Sequence, residues 1–235
     1  GFGVTSADGR QRFGLRLRKA REFGLRGMTL MGIGSSAGIE VDGTGNGGGC
    51  WIASVDQVTV TRTPGTGLRL RGEVNALTFR GCDFAAAGED NVLVQGGKAI
   101  AFNGCVFEGA VRGAEVRVAP VDGATVAALS LAQSWLESRA SGSAGRGLLI
   151  DEAPAGGVRS VALRDSFLGG NGGADVMIEC RAASGELTLA GNAVVGVKRG
   201  GVLRRQEGFR ILGGEGEAYR YSTGSGGLPM LLPGT

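Results

Sequence analysis

Histidine is absent from all 235 residues. That removes the side chain most used as a general base near neutral pH, so His-based triads and HExxH zinc sites are excluded. The four cysteines, Cys50, Cys82, Cys105 and Cys180, form no CxxC pair, which leaves no zinc knuckle and no thioredoxin-type motif. Carboxylates and arginines must therefore supply whatever chemistry the chain performs. The most suggestive group is Asp151 and Glu179, with Glu152, Arg181 and Arg205 as neighbours. Two carboxylates about 5 Å apart can divide the acid role from the nucleophile or base role in glycoside cleavage. They can also hold a calcium ion for lyase chemistry, with Arg181 or Arg205 stabilising charge. The plainer reading of the same residues is a surface ladder of alternating charge. Side chains suited to stack on a sugar ring are few: Trp51, after the run Gly43–Gly49, and Trp135.

Whether Asp151 meets Glu179 depends on the elements that carry them. Short stretches with alternating apolar residues recur after a small or turn-forming residue. They read GLRLR from Gly14, GIEVD from Gly38, GLRLR from Gly67, NVLVQ from Asn91, EVRVA from Glu115, GLLID from Gly147, DVMIE from Asp175 and GVLRR from Gly201. The intervals are 24, 29, 24, 24, 32, 28 and 26 residues. A second stretch follows each: MTLM at Met28, VTVT at Val58, LTFR at Leu77, IAFN at Ile100, LSLA at Leu129, VALR at Val161, LTLA at Leu187 and FRIL at Phe209. A third register follows in Cys82-Asp83-Phe84, Cys105-Val106-Phe107, Ser134-Trp135-Leu136, Ser166-Phe167-Leu168 and Asn192-Ala193-Val194. One column there is small and polar, and two residues on another is large and apolar. Such columns arise when coils stack and place like residues about 4.8 Å apart.

The alternation sorts residues into faces. Inward pairs are Leu68/Leu70, Val92/Val94, Val116/Val118, Leu148/Ile150 and Val176/Ile178, with Leu77/Phe79, Ile100/Phe102, Leu129/Leu131, Val161/Leu163 and Leu187/Leu189 from the second strand. The outward residue ending the first strand runs Arg18, Asp42, Arg71, Gln95, Ala119, Asp151, Glu179, Arg205, which sets Asp151 beside Glu179, one rung apart. Thr29, Thr59, Thr78, Ala101, Ser130, Ala162 and Thr188 form one outward column, a flat face for a symmetry mate or for solvent. Cys82 and Cys105 fall in one column on adjacent rungs, close enough for a disulfide, although Ser134, Ser166 and Asn192 in the same column favour two reduced thiols in a turn.

Glycine, at 47 residues, is far above the usual ~7%. Proline is only 5, and a 42% hydrophobic content argues against disorder. There is no 18-residue apolar run for a membrane span. The bases, 22 Arg and 3 Lys, are interleaved with acids to a net charge of +3, without the concentrated stripe of a nucleic-acid binder. The basic end from Arg10 to Arg26 suits a solvated first coil or an acidic neighbour. GTGNGGG (43–49) lacks the ending of a P-loop, and GGNGGAD (169–175) has Ala174 where a calcium-binding turn needs Asp, so both read as turns.

No helical period separates the strands, and the spacing is too short for propeller blades. The expected fold is all-β: a right-handed, single-stranded parallel β-helix of about eight coils with 24–32 residues per coil. Residues 1–13 form a lead-in, 14–212 the β-helix and 213–235 a glycine-rich tail. Its end coils need covers, from a further domain, a partner chain or a neighbouring subunit. The alternation, turn column and glycine content resemble the pectate-lyase-like parallel β-helix superfamily, and within it the β-helices of bacteriophage tailspikes and virion fibres. The polygalacturonase-type NTD, DD, GHG and RIK motifs are missing. The resemblance implies a virion structural or receptor-engaging domain, a homotrimer or a partner of other virion proteins, that presents a rigid surface to host polysaccharide. It needs no cofactor and is not expected to be an enzyme. The alternatives are a polysaccharide lyase or glycoside hydrolase, with Ca2+ only in the lyase case, and a secreted bacterial adhesin.

Overall fold

The computed structural model describes residues 2–5, 11–45, 49–138, 145–151, 156–170, 177–195, 203–213, 219–223 and 229–233. Every regular element among them is a strand. Each coil passes through three sheets in the order B, C, A, and like strands of successive coils pair in parallel. Sheet B contains Phe13–Arg18, Ala37–Gly43, Thr66–Gly72, Val92–Val94, Ala114–Val118, Arg146–Ile150, Ile178–Cys180 and Leu203–Arg205. Sheet C contains Arg21–Arg26, Cys50–Asp56, Val74–Arg80, Gly97–Asn103, Thr125–Ala132, Ser160–Arg164, Gly185–Ala190 and Phe209–Gly213, with Gly157–Val158 beside it. Sheet A contains Phe2–Thr5, Met28–Met31, Thr59–Thr61, Asp83–Ala85, Val106–Glu108, Trp135–Ser138, Phe167–Gly170 and Ala193–Val195. The eight parallel strands of sheet B are separated by seven turns, so the chain is a parallel β-solenoid. Within the glycine-rich tail, Tyr219–Thr223 and Pro229–Pro233 pair antiparallel, and the latter extends sheet B beyond Leu203–Arg205.

Alternation drives the stacking. Leu68, Leu70, Val92, Val94, Val116, Val118, Leu148 and Ile150 line the interior from sheet B, and Leu77 to Leu189 from sheet C, all at most 1% exposed. At mid-length the core is aromatic. Phe79 stacks on Phe102 with centroids 4.5 Å apart, Phe84 on Phe107 at 5.9 Å, and the two stacks meet edge to face. At the start of a sheet B strand the coils approach so closely that a Cβ on Gly67 would lie 2.4 Å from the Asn91 carbonyl of the next coil.

The turn from sheet C to sheet A is a repeated device. Gly27, Gln57, Gly81, Gly104, Gln133, Asp165 and Gly191 all adopt left-handed backbone there, with φ between 48° and 65°. The small polar column follows immediately, and its side chains cap the strand just ended. Cys82 donates to the Arg80 carbonyl (3.5 Å), Cys105 to Asn103 (3.6 Å), Ser134 to Ala132 (2.9 Å) and Ser166 to Arg164 (2.8 Å). The column is also knitted vertically, since Ser134 N–H donates to Ser166 Oγ (3.1 Å) and Ser166 N–H to Asn192 Oδ1 (3.0 Å). Cys82 and Cys105 are free buried thiols here, as are Cys50 and Cys180.

Three expectations need correction. The register pairs Ile178 with Leu148 and Cys180 with Ile150, so the inward pair is Ile178/Cys180, and Val176 lies outside the described residues. Cys180, 1% exposed, acts as a small hydrophobe and carries the apolar alternation two residues further than its letter suggests. Secondly, Thr29 and Thr59 belong to sheet A, whereas Thr78, Ala101, Ser130, Ala162 and Thr188 share a column of sheet C with Gly24 and Ser54. The threonine column is thus two columns on different faces. Thirdly, the true sheet C strands of the first two coils are Arg21–Arg26 and Cys50–Asp56, not MTLM and VTVT.

A bulge disguises those strands. Glu22, Ile52, Ala76, Ala99 and Ala128 take φ of 50–56° in five consecutive coils and are skipped by the pairing. Each bulge breaks the alternation and re-aims the residue before it. Trp51, Asn75 and Lys98, register partners one position ahead of the bulge, are thereby directed into the corner between sheets B and C.

Candidate functional site

The outer face of sheet B is an arginine–carboxylate lattice of two outward columns. One runs Arg16, Glu40, Arg69, Leu93, Arg117, Leu149, Glu179. The other begins Arg18, Asp42, Arg71, and at its far end Asp151 is followed by Arg181, whose N–H bonds the carbonyl of Ile150. Asp151 and Glu179 are therefore not rung neighbours in one column. Glu179 faces Leu149, one residue column away from where the spacing sets it.

They nonetheless converge through arginine. Arg181 Nε lies 3.1 Å from Glu179 and its Nη1 3.7 Å from Asp151. Arg117 binds Asp151, with Nε at 3.1 Å, and reaches Asp90 at 3.9 Å. Arg146 closes the other side of Glu179. Burial pushes the Glu179 carboxyl up, but hydrogen bonds from Arg181 and Arg146 outweigh it and hold the group below the ordinary glutamate range. An acid–base pair needs one carboxyl kept protonated, and this environment does the opposite. Arg205 stands apart: its register partner is inward-facing Cys180, and Nη1 donates to the Phe209 carbonyl at 2.7 Å. Glu152 lies outside the described residues.

The same pattern repeats at the other end of the sheet. Arg16 bridges Glu40 (2.8 Å) and Asp42 (2.5 Å), and Arg69 reaches Glu40 at 3.5 Å. Asp42 is pushed up by burial, yet Thr44 and Arg16 hydrogen bonds leave it below the usual aspartate value. Among the described residues no group of three or more Cys, Asp or Glu is arranged to hold a metal.

Beside this floor, the sheet B to sheet C corners open into a cavity of about 870 Å3. Its walls are Gly43–Gly45, Gly72–Glu73 and Val121–Ala124 from three corners, and its polar lining includes Trp51, Arg71, Glu73, Asn75, Lys98 and Asp122. The Trp51 indole packs beneath the Arg21 guanidinium, 4.5 Å from ring centroid to Cζ. Gly49 permits this: a Cβ there would lie 2.3 Å from both Trp51 Nε1 and the Glu73 carbonyl. Arg71 spans the opening to Asp122 at 3.4 Å. Two buried donors of these side chains, Trp51 Nε1 and Arg71 Nε, have no acceptor among the described residues.

Of the residues singled out by sequence, Trp51 lies in this cavity, Asp151, Glu179 and Arg181 form the lattice at the far end of sheet B, and Trp135 is on the outer face of sheet A. Sequence reasoning missed Arg71, Glu73, Asn75, Lys98 and Asp122 as a group. Arg71 was visible only as a column member, and the bulge that aligns Asn75 and Lys98 with Trp51 leaves no mark beyond broken alternation.

No protein-family model and no curated protein matches this chain. Among solved structures it is similar to the catalytic unit of a thermostable GH87 α-1,3-glucanase from Streptomyces thermodiastaticus strain HF3-3, with a TM-score of 0.47 and 14% identity. The match covers 86% of this chain and 47% of the glucanase unit, so the chain spans about half the length of that structure. At this distance the likeness assigns neither an activity nor a site residue.

Proposed function

We propose that this chain is a saccharide-binding β-solenoid domain, a rigid rod whose sheet B to sheet C corner seats a surface polysaccharide. The observation that carries the reading is the corner cavity, where an indole, an amide and side chains of both charge signs converge. An aromatic face suits the C–H face of a pyranose, and mixed donors and acceptors suit its hydroxyls. A polyanion would call for an excess of cations, and here Arg71 and Lys98 are offset by Glu73 and Asp122. In a virion spike or fibre, the setting the resemblance implies, such corners on a homotrimer would meet host polysaccharide; on a secreted adhesin they would do the same. The enzyme alternative is weakened by the arginine pairing of Asp151 and Glu179, which holds the Glu179 carboxyl below the ordinary glutamate range.

The test is a glycan array probed with the parent chain, W51A and R71A, with reducing-end release followed in the same samples. Binding of at least one polysaccharide that falls about tenfold or more in both variants supports the reading. Binding that both variants retain refutes it. Release of reducing ends that is lost in D151N or E179Q would instead favour the hydrolase. Light scattering tests the assembly: a trimer's mass supports the virion setting and a monomer speaks against it.

A further inference from the structure

Sheet A carries a second feature on a face of its own. Its pairing sets Asp83, Val106, Trp135, Phe167 and Ala193 in one outward column, and Ala85, Glu108, Glu137, Gly169 and Val195 in another two residues along. Trp135 stacks on Phe167 with centroids 3.9 Å apart and planes 22° from parallel. One indole face is thus backed by the phenyl ring, and on the other side the neighbour in the column is Val106, with Asp83 one rung beyond. The indole N–H donates to Glu137 at 2.9 Å, which fixes the ring's rotation. Glycine at 169 leaves room for the stack, since a Cβ there would come within 2.8 Å of the Phe167 ring.

The consequence is a notch. Asp83 and Trp135 are two rungs apart, roughly 9.6 Å of backbone spacing, with only the shorter Val106 between them. Glu108, on the rung of Val106, and Glu137 border it along one side. Asp83 has a buried Oδ1 with no hydrogen-bond partner among the described residues, and Trp135 is 41% exposed although it is one of the largest side chains. Its exposed part comes to roughly 100 Å2, set against ~800 Å2 per partner in a stable protein interface. One sugar ring fits that scale and a globular partner does not.

We propose that this notch binds one pyranose ring of a neutral polysaccharide, its C–H face on the free face of Trp135 and its hydroxyls on Asp83 and Glu108. The aromatic wall supplies a flat apolar surface. The carboxylates supply acceptors that hydroxyl donors satisfy. The site is independent of the corner pocket, because it lies on a different sheet and shares no residue with it.

Trp51 and Trp135 are the chain's two tryptophans, so W51F leaves Trp135 as the sole indole reporter. Maltohexaose, cellohexaose, laminarihexaose and mannohexaose are titrated into W51F while its emission is followed. A saturable change with at least one hexaose is expected. Filling the notch with V106F on the W51F background should weaken that binding at least tenfold while the circular dichroism spectrum is unchanged, and D83N should weaken it several-fold. No response to any of the four sugars overturns the proposal, as does V106F binding like its parent. Self-association of the chain that W135A abolishes would also overturn it, in favour of a protein contact. Loss of the corner-pocket reading through W51A leaves this result untouched.

Discussion

Glu115 should make this protein less stable as pH rises through neutrality. It lies on Ala114–Val118, is 1% exposed, and fills the inside of the turn from sheet A to sheet B. Its carboxyl accepts the Ala110 N–H at 3.2 Å and the side-chain amide of Asn91, which in turn binds the Glu108 carbonyl. Burial drives its pKa from an ordinary 4.5 up to about 8, the Ala110 and Asn91 donors oppose this, and the nearby Glu108 charge adds to it. The folded protein therefore holds a proton that the unfolded chain releases between pH 4.5 and about 8. The stabilising contribution is complete below 4.5 and lost as pH rises through 8. At ~1.36 kcal/mol per pH unit, the gap amounts to on the order of 4–5 kcal/mol. E115Q keeps the shape and removes the titration. Urea midpoints by circular dichroism from pH 5 to 9 should show the parent falling steeply and E115Q much less. Asp90, also raised by burial, leaves a slope of its own in both proteins. Parallel curves for parent and E115Q would refute a strongly raised pKa.

Two further outcomes follow from the interior. F102A removes one ring from the double stack with Phe79, Phe84 and Phe107, and should cost about 3–5 kcal/mol in urea denaturation. C105S should cost less than about 1 kcal/mol in the same assay, because Ser134 already makes the equivalent bond to the carbonyl two residues back.

The solenoid was legible because stacking imposes the same demand in every coil. Leu68, Val92, Val116 and Leu148 share a letter class because they share an environment, and the Cys82–Asn192 column is small and polar because its buried side chains bond nearby backbone carbonyls. Strands whose backbone departs from alternation were not legible. Cys50–Asp56 places Ile52 at φ 56° and 60% exposure, so an apolar residue faces solvent within a strand. Nothing in the letters distinguishes it from a core isoleucine.

The error at Glu179 has a different origin and a wider consequence. A one-residue slip in a strand exchanges its two faces, and hydrophobic patterning detects it at once. A slip of two residues leaves every inward residue inward, so DVMIE and MIEC satisfy the pattern equally well. Yet it moves each outward side chain roughly 6.6 Å along the strand, at ~3.3 Å per residue. That distance separates two carboxylates sharing a proton from two carboxylates each clamped by arginine. Arg181, pairing with both Glu179 and Asp151, is what the slip brings between them. In a β-solenoid the core thus reports the fold and is silent on register in steps of two, while an active or binding surface depends on that register throughout.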